Sequence, residues 1–155
     1  MIVSVGTPRM PGLAEAIREY EARIAHYFKF QSLAVRQQRI GPGADTSAIV
    51  AKESRALLDK VQPDLELVAV DERGVAWSSE QLAGYLGELA VGARPGVAFL
   101  IGGPLGLSDE LRDGAGHVLA LSSFTLPHEM ARLLLAEQIY RAGTILRGEP
   151  YHRGG

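Results

Sequence analysis

Short apolar runs of strand type alternate with longer stretches of helical periodicity through this whole chain. That alternation restricts the fold more than any other feature. The runs are residues 2–5 (IVSV), closed by Gly6, then residues 33–40, residues 65–70 (LELVAV), "GVAFLIGG" and "HVLALSS". Pro11 and Gly12 open a helical stretch in which Leu13, Ile17, Ile24 and Tyr27 recur at helical spacing. After the loop "GPGADTS", Asp45 or Thr46 is placed to cap a helix running to about Lys60. "DERGVAWS" reads as a turn region, and Ser78 or Ser79 as the cap of a helix ending near Val91. Ser108 starts a short helix, and the longest helix runs from about His128 to Arg147, followed by "GEPYHRGG". The pattern predicts an α/β fold: a mainly parallel sheet with right-handed crossovers and helices on both faces. No repeat, low-complexity tract or linker divides the 155 residues, which predicts one domain over 1–155.

Composition narrows the partners. A formal net charge of -2 leans against nucleic acid, whose binders are ordinarily basic. With no cysteine there are no disulfides, thiolate zinc sites or cysteine nucleophiles, and no metal is expected. The start "MIVSVGTPRMPG" lacks the basic and apolar regions of a secretory signal. No apolar run approaches a membrane span. The expectation is a cytoplasmic protein without membrane contact.

Two stretches carry the chemistry. In "FLIGGPLGLSDE", residues 99–110, an apolar run ends at Gly102 and Gly103. In parallel sheets, ligands bind outside such carboxyl ends. No Lys-Ser or Lys-Thr follows the last glycine, and the spacing is not GxGxxG, so a phosphate loop is rejected. Two readings remain: a tight strand-to-helix turn that needs glycine, or a loop whose main chain meets a flat ring such as adenine. In "LALSSFTLPHEMARLLLAEQIYRA", residues 119–142, a strand passes through serines and a threonine into a nearly all-apolar helix. Met130, Leu133, Leu134, Leu135, Ile139, Ile145 and Leu146 occupy most of its circumference. This predicts burial on several sides, with a partner subunit supplying part of the cover.

"LIGGPLGLS", "LSSFTLPHEMARLLLAEQIYRA" and the terminal "PYHR", in this order and spacing, resemble the RlmH family; "VSVGTP" and "VAVDERGVAWSS" extend the resemblance over the whole chain. These are bacterial methyltransferases of the SPOUT class, acting on N3 of a pseudouridine in large-subunit ribosomal RNA. The resemblance implies a C-terminal deep trefoil knot in which S-adenosyl-L-methionine is held, bent, largely by the backbone of three loops. The matching positions are Val70 before Asp71, Gly102, and the run Leu121, Ser122, Ser123, Phe124, Thr125 and Leu126. Val70, Ile101, Leu121 and Leu126 suit apolar walls, and main chain near Gly102, Ser122 and Phe124 suits the hydrogen bonds of an adenine site.

The implied reaction needs a base, or a stabiliser of the anion, for a weakly acidic imide N3–H. Tyr151, His152 and Arg153 match the family's terminal motif. His152 has an imidazole's range for a base, and Arg153 or Arg141 suits a developing negative charge or a phosphate. His128 either stabilises a helix start or joins the site. Glu137 and Arg141, four apart, read equally as a surface pair. The implied substrate is 23S rRNA, in its helix 69 region, in the assembled ribosome; the implied assembly is a homodimer, and no DNA is expected. The alternatives are a related knotted tRNA methyltransferase and a non-catalytic S-adenosylmethionine-binding protein. One departure stands out: "GPGADTSAIVAKES" is poor in Lys and Arg, which leaves RNA contacts to scattered residues such as Arg9, Arg36, Arg39 and Arg147.

Overall fold

The computed structural model describes residues 1–92 and 95–154, the last two of these without their side chains. Strands β1 (Ile2–Val5), β2 (Ser32–Val35), β3 (Glu66–Ala76), β4 (Val97–Ile101) and β5 (His117–Ala120) form a sheet in the order β2-β1-β4-β3-β5. Every neighbouring pair runs parallel, as the alternation predicts. The helices are α1 (Pro11–Ile24), α2 (Thr46–Leu58), α3 (Ser79–Val91), α4 (Asp109–Gly114) and α5 (His128–Leu146), followed by a short 3-10 helix at Pro150–Gly154.

The sheet is buried on both faces, which is why β4 is uninterruptedly apolar. Its Val97, Phe99 and Ile101 point into a core shared with Ile24 of α1, Leu82 and Leu86 of α3, and Leu135 and Ile139 of α5. Ala98 and Leu100 point the other way, with Leu57 of α2 and Leu111 of α4. Local signals set the helix starts. Asp45 caps α2 by accepting the N–H of Ala48 at 3.1 Å. At α3, Ser78 Oγ accepts the Gln81 N–H at 3.2 Å while Gln81 Oε1 accepts the Ser78 N–H at 2.7 Å. Such a reciprocal cap is worth about 1 kcal/mol.

Several expectations are corrected. Strand β2 ends at Val35 rather than near Ile40, because its partner β1 turns away at Gly6, where φ is +77°. Residues 36–40 then have no ladder to join. Conversely, "DERGVAWS" is largely strand: β3 continues to Ala76, with Leu119 opposite both Val70 and Val75. Residues 71–74 bulge out of the ladder between them. Gly74 is required there, since a Cβ on it would stand 2.4 Å from the Val118 carbonyl oxygen. Strand β5 stops at Ala120, which frees Ser122 and Ser123 for a loop.

The cover of α5 also differs from expectation. Helices α1 and α3 both pack along it, so Leu135 and Ala142 are fully buried and Ile139 nearly so within one chain. Only Met130, at 41 %, and Leu146, at 46 %, remain exposed among its large apolar side chains. Nor is the terminal segment a free end. The Tyr151 ring packs edge-on against Tyr140 at 4.7 Å, and its hydroxyl donates to Glu137 Oε1 at 3.1 Å.

Candidate active site

The carboxyl ends of β3, β4 and β5 open into a cavity of about 890 Å³, within the range of small-molecule sites. Three segments wall it: Val70 and the bulge that follows, the glycine loop after β4, and the loop between β5 and α5. Val70, Gly102, Leu121, Ser122, Phe124, Thr125 and Leu126 all line it, whereas Ser123 does not. The sequence places these positions far apart; the parallel sheet brings them together because consecutive strands end on the same edge.

Each wall is fixed by contacts of its own. Gly102 is packed so tightly that a Cβ would stand 2.5 Å from the carbonyl carbon and oxygen of Gly106. The loop therefore folds on itself, with the Gly106 N–H donating to Gly103 O at 2.9 Å. The third loop is tied to the bulge by Thr125 Oγ1, which donates to Glu72 Oε2 at 2.5 Å. Ser122 Oγ accepts the Phe124 N–H at 2.9 Å, shaping the turn into α5.

Beneath the cavity lies Arg112 of α4, which reads in sequence as an ordinary surface charge. It is 8 % exposed. Its guanidinium donates to Asp71 Oδ2 at 3.2 Å, to the Leu107 carbonyl of the glycine loop, and to Asp109. Burial works to raise the Asp71 pKa, but hydrogen bonds from the Arg73 side chain and N–H, with the charges of Arg73 and Arg112, hold it below the usual carboxylate range. Asp71 is thus ionised at the cavity wall. Glu53 of α2 is likewise buried; its Oε1 accepts the Gln38 N–H at 2.7 Å and its Oε2 lies 2.8 Å from where a Cβ on Gly103 would stand. No periodicity signals either residue, because both sit in helices whose charges look solvated.

The residues expected to act on the substrate divide into two places. His128 lines the cavity at the start of α5. Arg141 lies farther along that helix and meets Tyr151 of the terminal 3-10 helix, whose next residue, His152, reaches Glu80 at the start of α3. Arg141 is thirteen residues on, roughly 20 Å along the axis at 1.5 Å per residue. Arg141 Nη2 meets Glu137 Oε1 at 2.6 Å, and the guanidinium stacks 4.8 Å from the centre of the Tyr151 ring. This pair is partly buried under the terminal segment rather than on an open surface. His152 Nε2 is 2.7 Å from Glu80 Oε1, and its Nδ1 is enclosed with no partner among the described residues. Burial pushes the Tyr151 phenol well above its usual range, and Tyr20 and Glu137 add to the shift. The Arg153 side chain lies outside the described residues.

The cavity fits the methyl donor chemically. Apolar side chains of Val70, Ile101, Leu121 and Leu126 suit a flat ring and aliphatic chain, loop main chain offers hydrogen bonds, and the carboxylates of Asp71 and Glu72 suit a cationic sulfur.

Comparison with known proteins agrees. The family model described as "Predicted SPOUT methyltransferase" matches residues 1–152. The "Ribosomal RNA large subunit methyltransferase H" of Gemmatimonas aurantiaca is 46% identical over 154 residues, covering 98% of this chain and 97% of that protein. The protein of that name from an Anaeromyxobacter species is 45% identical, with 98% and 97% covered. Among solved structures, a probable methyltransferase from Bordetella pertussis Tohama I superposes with a TM-score of 0.55 at 18% identity, covering 91% of this chain and 94% of that one, a likeness of fold alone. The chain therefore belongs to the SPOUT methyltransferases, whose cofactor is S-adenosylmethionine, and within them to the RlmH family.

Proposed function

We propose that this protein methylates N3 of a pseudouridine in 23S rRNA, in the helix 69 region of the assembled ribosome. The names of its relatives support an rRNA substrate. The observation that carries the reading is the convergence of Val70, Gly102 and the 121–126 loop on one cavity of the right size and polarity. When bound there, S-adenosylmethionine supplies an electrophilic methyl group. The chain's task is to hold donor and base in line and to deal with the N3 proton.

Among the terminal residues, Tyr151 stays protonated at neutral pH, since its phenol is shifted upward. It serves as a stacking face or hydrogen-bond donor. His152 is then the candidate base, with Arg153 and Arg141 as candidate stabilisers of the N3 anion. His128 is the candidate group on the cavity side. A knotted C-terminal region goes with this reading: β5 lies outside β3, and the chain returns past the bulge and the glycine loop to begin α5, a path compatible with trefoil threading.

The separation of tail and cavity within one chain favours a homodimer with shared sites. Phe124, at 78 % exposure on the cavity wall, and Met130, at 41 % in the first turn of α5, offer apolar side chains for a two-fold contact. Such a contact brings the tail of one subunit to the cavity of the other. The setting is cytoplasmic, where ribosomes are found; among the described residues no helix is long and apolar enough to cross a membrane.

Mass analysis of rRNA and tRNA from cells lacking the gene tests the reading. Loss of one methyl-pseudouridine from 23S rRNA is the expected result. A methyl group lost from tRNA instead identifies a knotted tRNA enzyme, and no loss identifies a non-catalytic cofactor-binding protein.

A further inference from the structure

A second cavity, of about 790 Å³, opens on the same edge of the sheet, beyond the ends of β1 and β2. Arg9, Arg36, Arg39 and Lys52 line it with Gln37 and Gln38, and no carboxylate does. In a chain of net charge -2, this is a local concentration of positive charge rather than a general property of the surface. Residues 36–40 reach it because β2 stops at Val35. Among the described residues Arg36, Arg39 and Lys52 form no ion pair, so their charges are available.

The groove is built and it adjoins the cofactor cavity. Behind its lining, the buried Glu53 holds the Gln38 N–H at 2.7 Å and packs against Gly103 of the glycine loop. Arg9 Nη2 donates to Gln37 Oε1 at 3.2 Å, and the Arg9 N–H donates to Glu129 Oε1 at 3.2 Å at the start of α5. Gly6 lies between a residue of each lining. A Cβ on Gly6 would stand 3.4 Å from Gln37 Oε1, in the groove, and 3.4 Å from His128 Nε2, in the cofactor wall.

We propose that this groove grips the sugar-phosphate backbone of the substrate RNA strand beside the target nucleotide, leading that nucleotide over Gly6 and His128 into the cofactor cavity. The proposal rests on the rRNA reading above. Phosphodiesters carry one negative charge each, and guanidinium forks and amide groups are the donors that bind them. Such contacts position a strand without reading its sequence, which suits an enzyme whose target is chosen by ribosome shape.

The test is steady-state methylation of ribosomes lacking the modification, over a series of salt concentrations, with the parent and with Arg36→Ala/Arg39→Ala. The expected result is a rise in KM of tenfold or more, with kcat, S-adenosylmethionine affinity and melting temperature unchanged. The slope of log(kcat/KM) against log[salt] should flatten by about 1.4–1.8, the value for two lost phosphate contacts. Arg36→Lys/Arg39→Lys should restore most of the salt dependence. A parent that methylates ribosomes alongside an alanine variant with the same KM and slope overturns the groove alone. A fall in kcat with an unchanged salt slope also overturns it, marking a structural effect. A parent that methylates no rRNA overturns the groove together with the reading beneath it.

Discussion

Arg112 and Asp71 meet at 3.2 Å beneath the cavity at the ends of β3, β4 and β5, with side chains 9 % and 6 % exposed. One guanidinium thereby ties the bulge of β3 to the carbonyl of Leu107 in the glycine loop. Arg73 still holds Asp71 when Arg112 is removed, so the cost is that of a lost hydrogen bond to a charged group, about 1.5–3 kcal/mol. Arg112→Met is expected to lose stability of this order in urea unfolding, and to weaken S-adenosylmethionine binding because two cavity walls lose their common anchor.

The same cluster sets a pH dependence. Asp71 has a folded pKa below its unfolded value, so its stabilising contribution is present above the ordinary Asp range, near pH 3.9, and is lost as pH falls through the folded value. Arg73 supplies the leading downward effects. In Arg73→Ala the burial of Asp71 is less well offset, and the acid limb of a melting-temperature profile should move to higher pH. An unmoved limb would show that Arg73 does not hold the carboxylate down.

Blocking the cofactor site needs a residue that the fold can spare. Gly102→Val is unsuitable, since its side chain meets the backbone of Gly106 before it meets a ligand. Thr125 is exposed on the cavity wall, with one hydrogen bond to Glu72. Thr125→Trp should abolish S-adenosylmethionine binding in calorimetry while stability falls by only about 1 kcal/mol, the net worth of the lost hydrogen bond to Glu72. Retained affinity would place the cofactor elsewhere.

The terminal segment should separate folding from chemistry only in part. Removing residues 151–155 deletes the Tyr151–Tyr140 contact and the hydrogen bond to Glu137. A loss of about 2–4 kcal/mol is expected, from aromatic pairing and a hydrogen bond to a charged group. Cofactor binding should persist and methyl transfer should vanish, with His152→Ala substantially slowed in single-turnover assays. Mixing the truncated protein with Thr125→Trp should restore activity, because a shared site joins the intact cavity of one subunit to the intact tail of the other. No recovery in mixed dimers would assign tail and cavity to the same chain.

Assembly is checked at Met130. This side chain is exposed in one chain, so Met130→Glu should fold normally. In sedimentation it should shift a dimer towards monomer at micromolar concentration, since a charge buried in an apolar contact is costly.

The sequence by itself determined the order of elements, the parallel sheet and most helix starts. These depend on local rules: the period of apolar residues, the caps at Asp45 and Ser78, the glycines that close β1 and β4. Motifs whose spacing is family-specific also pointed to seven residues that the fold gathers around one cavity, Val70, Gly102, Leu121, Ser122, Phe124, Thr125 and Leu126. Tertiary structure alone decided the rest. Strand β3 runs through an apparent turn because β5 offers a ladder beyond the bulge, and β2 stops early because β1 turns away; pairing partners are non-local. Arg112 and Glu53 become buried only when the glycine loop closes over them. Arg9, Arg36, Arg39 and Lys52, scattered along the chain, line one basic groove because a parallel sheet delivers the ends of β1 and β2 to the same edge as the cavity walled by Val70, Gly102 and the 121–126 loop. Distances along a chain carry no information about such meetings; the direction and order of the strands do.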